Sequence, residues 1–373
     1  MSEISLILLA AGSSSRFGLG TKKQWLRCGD EPLWLFVAKQ FEKISEFREI
    51  IVVGDESELG YMQNFADYIF VPGGKERQDS LKNAIDAASG EYVLSADVAR
   101  CCVDAECVKR VIAAKGDYDC IVPAINVPDT VVYGGEYIDR SSVRLIQTPQ
   151  LSKKSFLQNA LSKSAVFTDD SGAMKEAGYT VGFVEGSKKQ IKLTVKEDLG
   201  LLSCIPTPSI DTFCGIGFDT HAFEDGKTCI LGGVKITDEY GFKAHSDGDV
   251  LIHSVIDALL GAAGLGDIGE FFPDTNPKYK GVDSAELLRV VVSMVRAVGY
   301  EISNVDMTVV AEKPKLFAIK NEIKKSLANI MGIAPYKICV KATTSEKMGF
   351  VGRGEGALVM SVASLKFFDW KSA

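Results

Sequence analysis

The feature that most constrains this chain is a rhythm in its first two hundred residues, where short apolar runs alternate with longer amphipathic ones. The runs Ile4–Ala10, Ile50–Val53, Tyr68–Val71, Tyr92–Leu94 and Cys120–Val122 are almost wholly apolar, as strands covered on both faces must be. Between them, Leu33–Ile44, Ser80–Ala88 and Asp104–Lys115 are long enough to be crossover helices. The rhythm predicts βαβ units. Its fold class is therefore α/β, a doubly wound, Rossmann-like parallel sheet with its site at the carboxyl ends of the strands.

Residues 127–147 break the rhythm and read as an extended arm turning at Gly134–Gly135. A helix at Ser152–Lys163 and a last short strand near Ile191–Thr194 should close the unit. Two prolines within Cys204–Ser209 suggest a linker. The expected division is a first domain over 1–203, a linker over 204–211 and a second domain over 212–373.

The second domain has another grammar. A strand at Phe213–Phe218 leads to helices at Asp249–Ala263 and Ser284–Val298, then a strand at Val305–Ala311, a helix at Leu316–Met331, and strands at Lys337–Lys341 and Ala357–Leu365. Helices and strands interleave without clean parallel repeats, which predicts α+β.

Among 373 residues, 46% are hydrophobic, enough for two cores of ordinary size. The net charge of −7 argues against a protein that coats nucleic acid. It leaves phosphate substrates open, because a phosphate site needs only local donors. The nine cysteines are odd in number and contain no C-x-x-C pair, so they are expected to be reduced thiols of a cytoplasmic protein. Ile4–Ala11 is too poor in flanking Lys and Arg, with Glu3 before it, to be read as a signal-peptide core. No apolar run approaches the ~20 residues that span a bilayer, so no membrane partner is expected.

The first strand runs into Ala10-Ala11-Gly12-Ser13-Ser14-Ser15-Arg16, with Lys23 seven residues further on. Small residues after a strand allow backbone N–H groups to turn toward a triphosphate, and Arg16 and Lys23 add charge there. Taken alone, the loop is equally an ordinary strand-to-helix turn with a solvent-facing arginine. The remaining motifs are Gly73-Gly74-Lys75-Glu76-Arg77-Gln78-Asp79-Ser80, Ala96-Asp97-Val98-Ala99-Arg100, Asp129-Thr130, Asp139-Arg140, Thr148-Pro149-Gln150, Thr168-Asp169-Asp170 and Ile191-Lys192-Leu193-Thr194. In that order they resemble the 2-C-methyl-D-erythritol 4-phosphate cytidylyltransferases, a nucleotidyltransferase family, over nearly all of residues 4–200.

The resemblance implies transfer of CMP from CTP to methylerythritol phosphate with release of pyrophosphate. By it, Arg16 and Lys23 stabilise the transition state, and Ala10, Ala11, Gly12, Ser13 and Ser80 hold CTP. Arg140 and Lys192 position the methylerythritol phosphate, with Thr130 and Thr148 nearby, and Asp97 helps to hold Mg²⁺ or Mn²⁺ beside the nucleotide. The chain departs from the family at Lys22, where proline is usual, and at Ala96, where histidine is usual.

All three histidines lie in the second domain. Asp219 and His221 are two apart at a strand end, so their side chains leave on one face. With His253 they supply a carboxylate and two imidazoles, a set that leaves Zn²⁺ one open position. Spacing alone leaves a packed or solvated histidine an equal reading. Gly217–His221, Ala244–Asp249, Asp257–Ala263, Gly266–Gly269, Phe272–Asn276, Ala342–Lys347 and Gly352–Gly356 then resemble the 2-C-methyl-D-erythritol 2,4-cyclodiphosphate synthases over residues 213–366.

By this second resemblance Asp219, His221 and His253 are zinc ligands, and Glu346 binds a second metal, Mg²⁺ or Mn²⁺. His245 and Thr344 stabilise the transition state. Ala311, Lys315, Phe317, Ala342, Thr343 and Glu346 hold the cytidine diphosphate. Asp267, Ile268, Gly269, Phe272, Pro273, Asp274, Thr275 and Asn276 line the methylerythritol pocket, with Ser246, Phe350 and Arg353 close by and Asp219 and His221 also touching substrate. The implied reaction closes a cyclic diphosphate and expels CMP.

The same resemblances imply self-association, with a dimer through the first domain, a trimer through the second, and a D₃ hexamer if one chain keeps both contacts. A kinase acts between the two reactions, so it is a further partner to consider. The alternatives left open are a first domain that serves another sugar phosphate, or one kept as a non-catalytic scaffold.

Overall fold

In this computed structural model, which describes residues 2–162 and 167–372, the strand Ile4–Leu9 lies between Tyr92–Asp97 and Ile50–Gly54 and runs parallel to both. Leu6, Ile7 and Leu8 are fully buried, because helices cover both faces of the sheet. The strand order is Arg144–Ile146, Cys120–Asn126, Gln150–Lys153, Tyr92–Asp97, Ile4–Leu9, Ile50–Gly54, Ile69–Pro72, with Val181–Glu185 paired parallel to Cys120–Asn126. The expected parallel frame is present, and two strands run against it. Gln150–Lys153 is antiparallel to both of its neighbours, and Arg144–Ile146 is antiparallel to Cys120–Asn126.

Helices form at Leu33–Glu42, Arg77–Ala87 and Ala105–Ala113, close to the predicted spans. Leu81, Ala84 and Ile85 of the second pack with Ile7, Ile51 and Val53 of the sheet. The helix expected at Ser152–Lys163 spans Lys154–Leu161, and Lys163 lies outside the described residues. The arm forms as predicted. Val131–Tyr133 and Glu136–Ile138 pair around Gly134 and Gly135, whose φ values of 59° and 92° suit a tight two-residue turn.

Several expectations are corrected. Ile191–Thr194 is not a strand, since its Leu193 N–H makes a single backbone bond to Ala99 rather than a ladder. The late strand is Val181–Glu185. Cys102 and Cys204 form a disulfide instead of remaining thiols; a pairing across 102 positions is set by tertiary folding and has no local signature. The stretch from Cys204 to Pro208 is not a free linker, because Gly29 N–H donates to Thr207 O at 3.1 Å and Gly29 bridges Pro208. The chain divides into Met1–Pro208 with Asp369–Ala373, and Ser209–Phe368. The tail beyond 368 therefore groups with the first unit, where Trp370 is buried and donates to Arg27 O at 2.7 Å.

In the second unit, Tyr240–Phe242, Thr212–Asp225, Gly356–Phe367, Tyr300–Val310 and Ile338–Thr343 form one sheet in that order. Every pairing is antiparallel except Tyr300–Val310 with Ile338–Thr343. Helix Val250–Ala263 packs on the sheet through Gly217, where any Cβ would collide with Ser254 O. The opposite face leaves Ile216 and Phe218 exposed, paired across the ladder with the exposed Val362 and Met360. Among the described residues no helix is long and apolar enough to cross a membrane.

Candidate active sites

In the first unit, strand register does the positioning. Leu9 and Asp97 are partners on parallel strands, so the loop that starts at Ala10 and the carboxylate of Asp97 emerge side by side. The loop bends through Ser14, whose φ of 58° is left-handed, into a short 3₁₀ turn at Ser15–Phe17. Ser14 Oγ accepts the Lys23 N–H at 2.9 Å, and Gln24 Nε2 donates to Gly12 O at 3.2 Å. These two bonds close Lys23 over the loop. Facing them is the N-terminal end of helix Arg77–Ala87, with Ser80 Oγ accepting from Gly74 N–H at 3.0 Å.

The resulting cleft has a volume of about 530 Å³ and is lined by residues 10–16, Lys23, Gly74–Arg77, Ser80, Asp97 and Lys192. Its cations are held in place by few acids. Asp97 receives Arg77 Nε at 3.2 Å and Lys192 Nζ at 2.7 Å. Burial works against the charged carboxylate, but Arg77 and Lys192 outweigh it and hold its pKa down at about 2. Arg77 also binds Asp170 at 2.7 Å. Lys23 donates to Leu193 O at 3.1 Å, and its pKa is lowered, first by burial and then by the charges of Arg16 and Lys192. Arg16, Lys23, Arg77 and Lys192 around a small-residue loop make a receptor for a polyanion.

Three of the expected first-site residues stand apart from this cleft. Arg140 is exposed on the arm and donates to Pro128 O at 2.6 Å, and Thr130 is exposed in the same segment. Thr148 is buried behind Asp97, whose N–H donates to its Oγ1 at 3.2 Å.

In the second unit, Asp219 and His221 alternate to one face of the long strand Thr212–Asp225, and His253 reaches them from helix Val250–Ala263. Asp219 Oδ2 lies 2.9 Å from His221 Nε2 and 3.2 Å from His253 Nδ1. Burial opposes its charged form, but hydrogen bonds and charge from both histidines drive its pKa far below the carboxylate range. One donor atom from each of the three residues falls within 4.8 Å of the others, a possible metal-binding group. On the far side of its ring, His253 Nε2 meets Ser284 Oγ at 3.0 Å, and Ser284 Oγ in turn donates to Asp247. Ser284, whose own proton goes to Asp247, therefore accepts from Nε2–H, with Ser246 Oγ 3.2 Å from the same nitrogen, and the opposite ring nitrogen, Nδ1, faces Asp219 and the cluster.

Beside the cluster lies a cavity of about 550 Å³ lined by His221, His245, Ser246, His253, Ile268, Gly269 and Phe272–Thr275, among others. Asp267 and Asn276 cap the turns at either end of that lining, accepting from Glu270 N–H and Lys278 N–H at 3.1 Å each. Ala311, Lys315, Phe317, Ala342, Thr343, Thr344, Glu346, Phe350 and Arg353 do not line this cavity. Ala311, Lys315, Phe317, Ala342, Thr343, Thr344 and Glu346 lie at or just after the carboxyl ends of Tyr300–Val310 and Ile338–Thr343, where Ala311 N–H donates to Thr343 O at 3.0 Å and Thr344 Oγ1 donates to Glu346 at 2.9 Å. Phe350 and Arg353 follow on the short helix Gly349–Gly352 and its C-cap. The second constellation is thus in two pieces within the second unit.

Residues 4–206 match the 2-C-methyl-D-erythritol 4-phosphate cytidylyltransferase (IspD) family, and residues 212–366 match the YgbB family. The bifunctional enzyme IspD/IspF of Aliarcobacter butzleri is 52% identical over 372 residues, covering 100% of both chains. That of Sulfurimonas denitrificans is 52% identical over 367 residues, 98% of this chain and 95% of its own. The solved structure of the bifunctional IspDF from Campylobacter jejuni superposes with a TM-score of 0.92 at 46% identity, covering 99% of this chain and 100% of that one.

The chain belongs to the bifunctional IspD/IspF family.

Its IspD unit is a cytidylyltransferase and its IspF unit a cyclodiphosphate synthase, both of isoprenoid biosynthesis, in a family of metal-dependent enzymes. Sequence reasoning had not assigned a role to Arg77 in the IspD unit, although it lies within a quoted motif; its partner Asp170 is 93 positions away. In the IspF unit Asp247 lies within the quoted Ala244–Asp249 motif and Ser284 opens a predicted helix, but the sequence marks no role for either, because they are 37 positions apart and meet only in the fold.

Proposed function

We propose that the IspD unit joins CTP to 2-C-methyl-D-erythritol 4-phosphate, and that the IspF unit cyclises the 2-phosphorylated diphosphocytidyl product of that branch. The observation that carries the first assignment is the convergence of Arg16, Lys23, Lys192 and Arg77 on the Ala10–Arg16 loop. The phosphate of methylerythritol attacks the α-phosphorus of CTP, an oxygen–phosphorus bond forms, and the bond to pyrophosphate breaks. Two polyanions must approach each other, and fixed cations offset their repulsion. Arg16 and Lys23 take the charge that grows on the α- and β-phosphates; Lys192 orients the attacking phosphate. Ser80 and the backbone of residues 10–13 seat the nucleotide. Asp97 suits Mg²⁺ or Mn²⁺, which bind through one or two carboxylates together with substrate phosphates.

In the IspF unit the donors Asp219, His221 and His253 suit Zn²⁺ with one open position, and a zinc bound there would polarise a phosphoryl oxygen. His245 and Ser246 face the cavity and stabilise the phosphoryl group under attack. Ile268, Gly269 and Phe272–Thr275 enclose the methylerythritol. The 2-phosphate attacks the β-phosphorus, an eight-membered ring closes and CMP leaves. No general base is required, because the attacking phosphate is already ionised.

Self-association completes both sites in this reading. Thr344, Glu346 (for Mg²⁺ or Mn²⁺) and the cytidine-binding loops would face the zinc cavity of a neighbouring copy. The apolar pairs Ile216–Val362 and Phe218–Met360 would supply the trimer contact. Arg140 would reach the cleft of a second copy through the exposed arm, giving the dimer. Together these contacts close on a D₃ hexamer. We place the enzyme in the cytoplasm, where CTP is available. The test is direct: CTP with methylerythritol phosphate should release pyrophosphate, and the 2-phosphorylated diphosphocytidyl substrate should release CMP. Absence of pyrophosphate would leave the IspD unit as a scaffold.

A further inference from the structure

Lys22 adjoins the cleft without lining it, and its ammonium is turned the other way. Its Nζ lies 3.0 Å from Asp55 Oδ2 and 2.6 Å from Glu58 Oε1. Glu58 is 7% exposed, and its other oxygen accepts Trp25 Nε1–H at 2.7 Å inside the core. Lys22 O accepts the Trp25 N–H at 2.9 Å, which opens the 3₁₀ turn Lys23–Trp25. The pair therefore ties the residue just before that turn to the loop after strand Ile50–Gly54, the neighbour of Ile4–Leu9 in the sheet. The backbone at Lys22 has φ −70° and ψ 144°, an extended conformation that nothing local enforces for a lysine.

Lys23 is held from both sides. On one, Ser14 Oγ fixes its N–H; on the other, Lys22 fixes the chain that enters it. We infer that Lys22 is a positioning residue for cytidylyl transfer, its ion pair with Asp55 and Glu58 holding the entering backbone so that Lys23 stays directed into the phosphate cradle. This rests on the reading of Lys23 as a transition-state clamp. The salt pair is half-buried beside Trp25, and removing the Lys22 side chain frees the entering backbone from its tie to Asp55 and Glu58, so that the extended conformation is no longer held.

The test is a set of variants of the full chain, with cyclisation by the IspF unit as an internal control. Lys22→Ala should lower kcat for pyrophosphate release about ten- to a hundredfold, the cost of displacing a catalytic group by about an ångström, with little change in KM for CTP. Lys22→Pro should restore most of kcat without any charge, because proline fixes φ at about −65° ± 15° and the observed −70° falls in that window. Should Lys22→Ala unfold the IspD unit, Glu58→Gln breaks the charge pair while its amide oxygen still accepts from Trp25, and a severalfold drop in kcat is expected. Wild-type kcat in Lys22→Ala, or in Glu58→Gln where that substitutes for it, overturns the inference, as does a Lys22→Pro protein as slow as the alanine variant. If Lys23→Ala itself retains cytidylyl transfer, the fault lies in the reading of Lys23 instead.

Discussion

Lys192 Nζ stands 2.7 Å from Asp97 Oδ2, joining two positions 95 residues apart at the mouth of the IspD cleft. The bond belongs to a seam that also includes Leu193 N–H to Ala99 O at 2.8 Å and Arg100 Nη1 to Gln190 O at 2.7 Å. The seam brings a residue from a strand end and a residue from an irregular segment to one phosphate-sized space. Arg77 completes the arrangement from the opposite side.

This arrangement sets a pH dependence. Asp97 ionises near 2 in the folded protein and near ~3.9 when unfolded, so its contribution is fully present above about pH 4 and is lost as pH falls toward 2. Its size is about 2 kcal/mol. Asp97→Asn should be less stable than wild type by about that amount at neutral pH, and urea titrations should show the gap closing as pH drops below about 4. A gap that stays constant down to about pH 3 would mean that Arg77 and Lys192 do not hold the carboxylate.

Ser284 gives a second prediction. It accepts from His253 Nε2–H at 3.0 Å, closer than Ser246 Oγ at 3.2 Å, so Ser284→Ala should weaken binding of the zinc proposed for this site about 10- to 100-fold with the fold retained. Chelator competition measures this. Unchanged affinity would mean that His253 is oriented without it.

The Cys102–Cys204 disulfide closes a loop of about a hundred residues within the IspD unit. Cys204→Ser should destabilise that unit by about 2–4 kcal/mol and leave the IspF unit unchanged. Peptide mapping without reductant should recover the cross-link. Nine titratable thiols in the denatured, unreduced protein would show that the bond does not form.

Local chemistry made much of this legible in advance. The loop Ala10–Arg16 and the pair Asp219–His221 are short, and what they do follows from small side chains after a strand or from a two-residue alternation. The antiparallel strand Gln150–Lys153 was hidden because it is inserted between distant strands and is mixed in polarity. Ile191–Thr194 alternates apolar and polar residues as a strand does, yet it is spent on carrying Lys192 and meeting Ala99. Arg77–Asp170, Ser284–Asp247 and Cys102–Cys204 are pairs across 93, 37 and 102 positions, and no one-dimensional pattern marks such partners.

Paired kinetics of Lys23→Ala and His221→Ala test most directly whether one chain carries two independent phosphoryl-transfer centres. Lys23→Ala should abolish pyrophosphate release from CTP and leave CMP release from the cyclisation substrate at the wild-type rate; His221→Ala should do the reverse. Loss of both activities in either folded variant would contradict that independence.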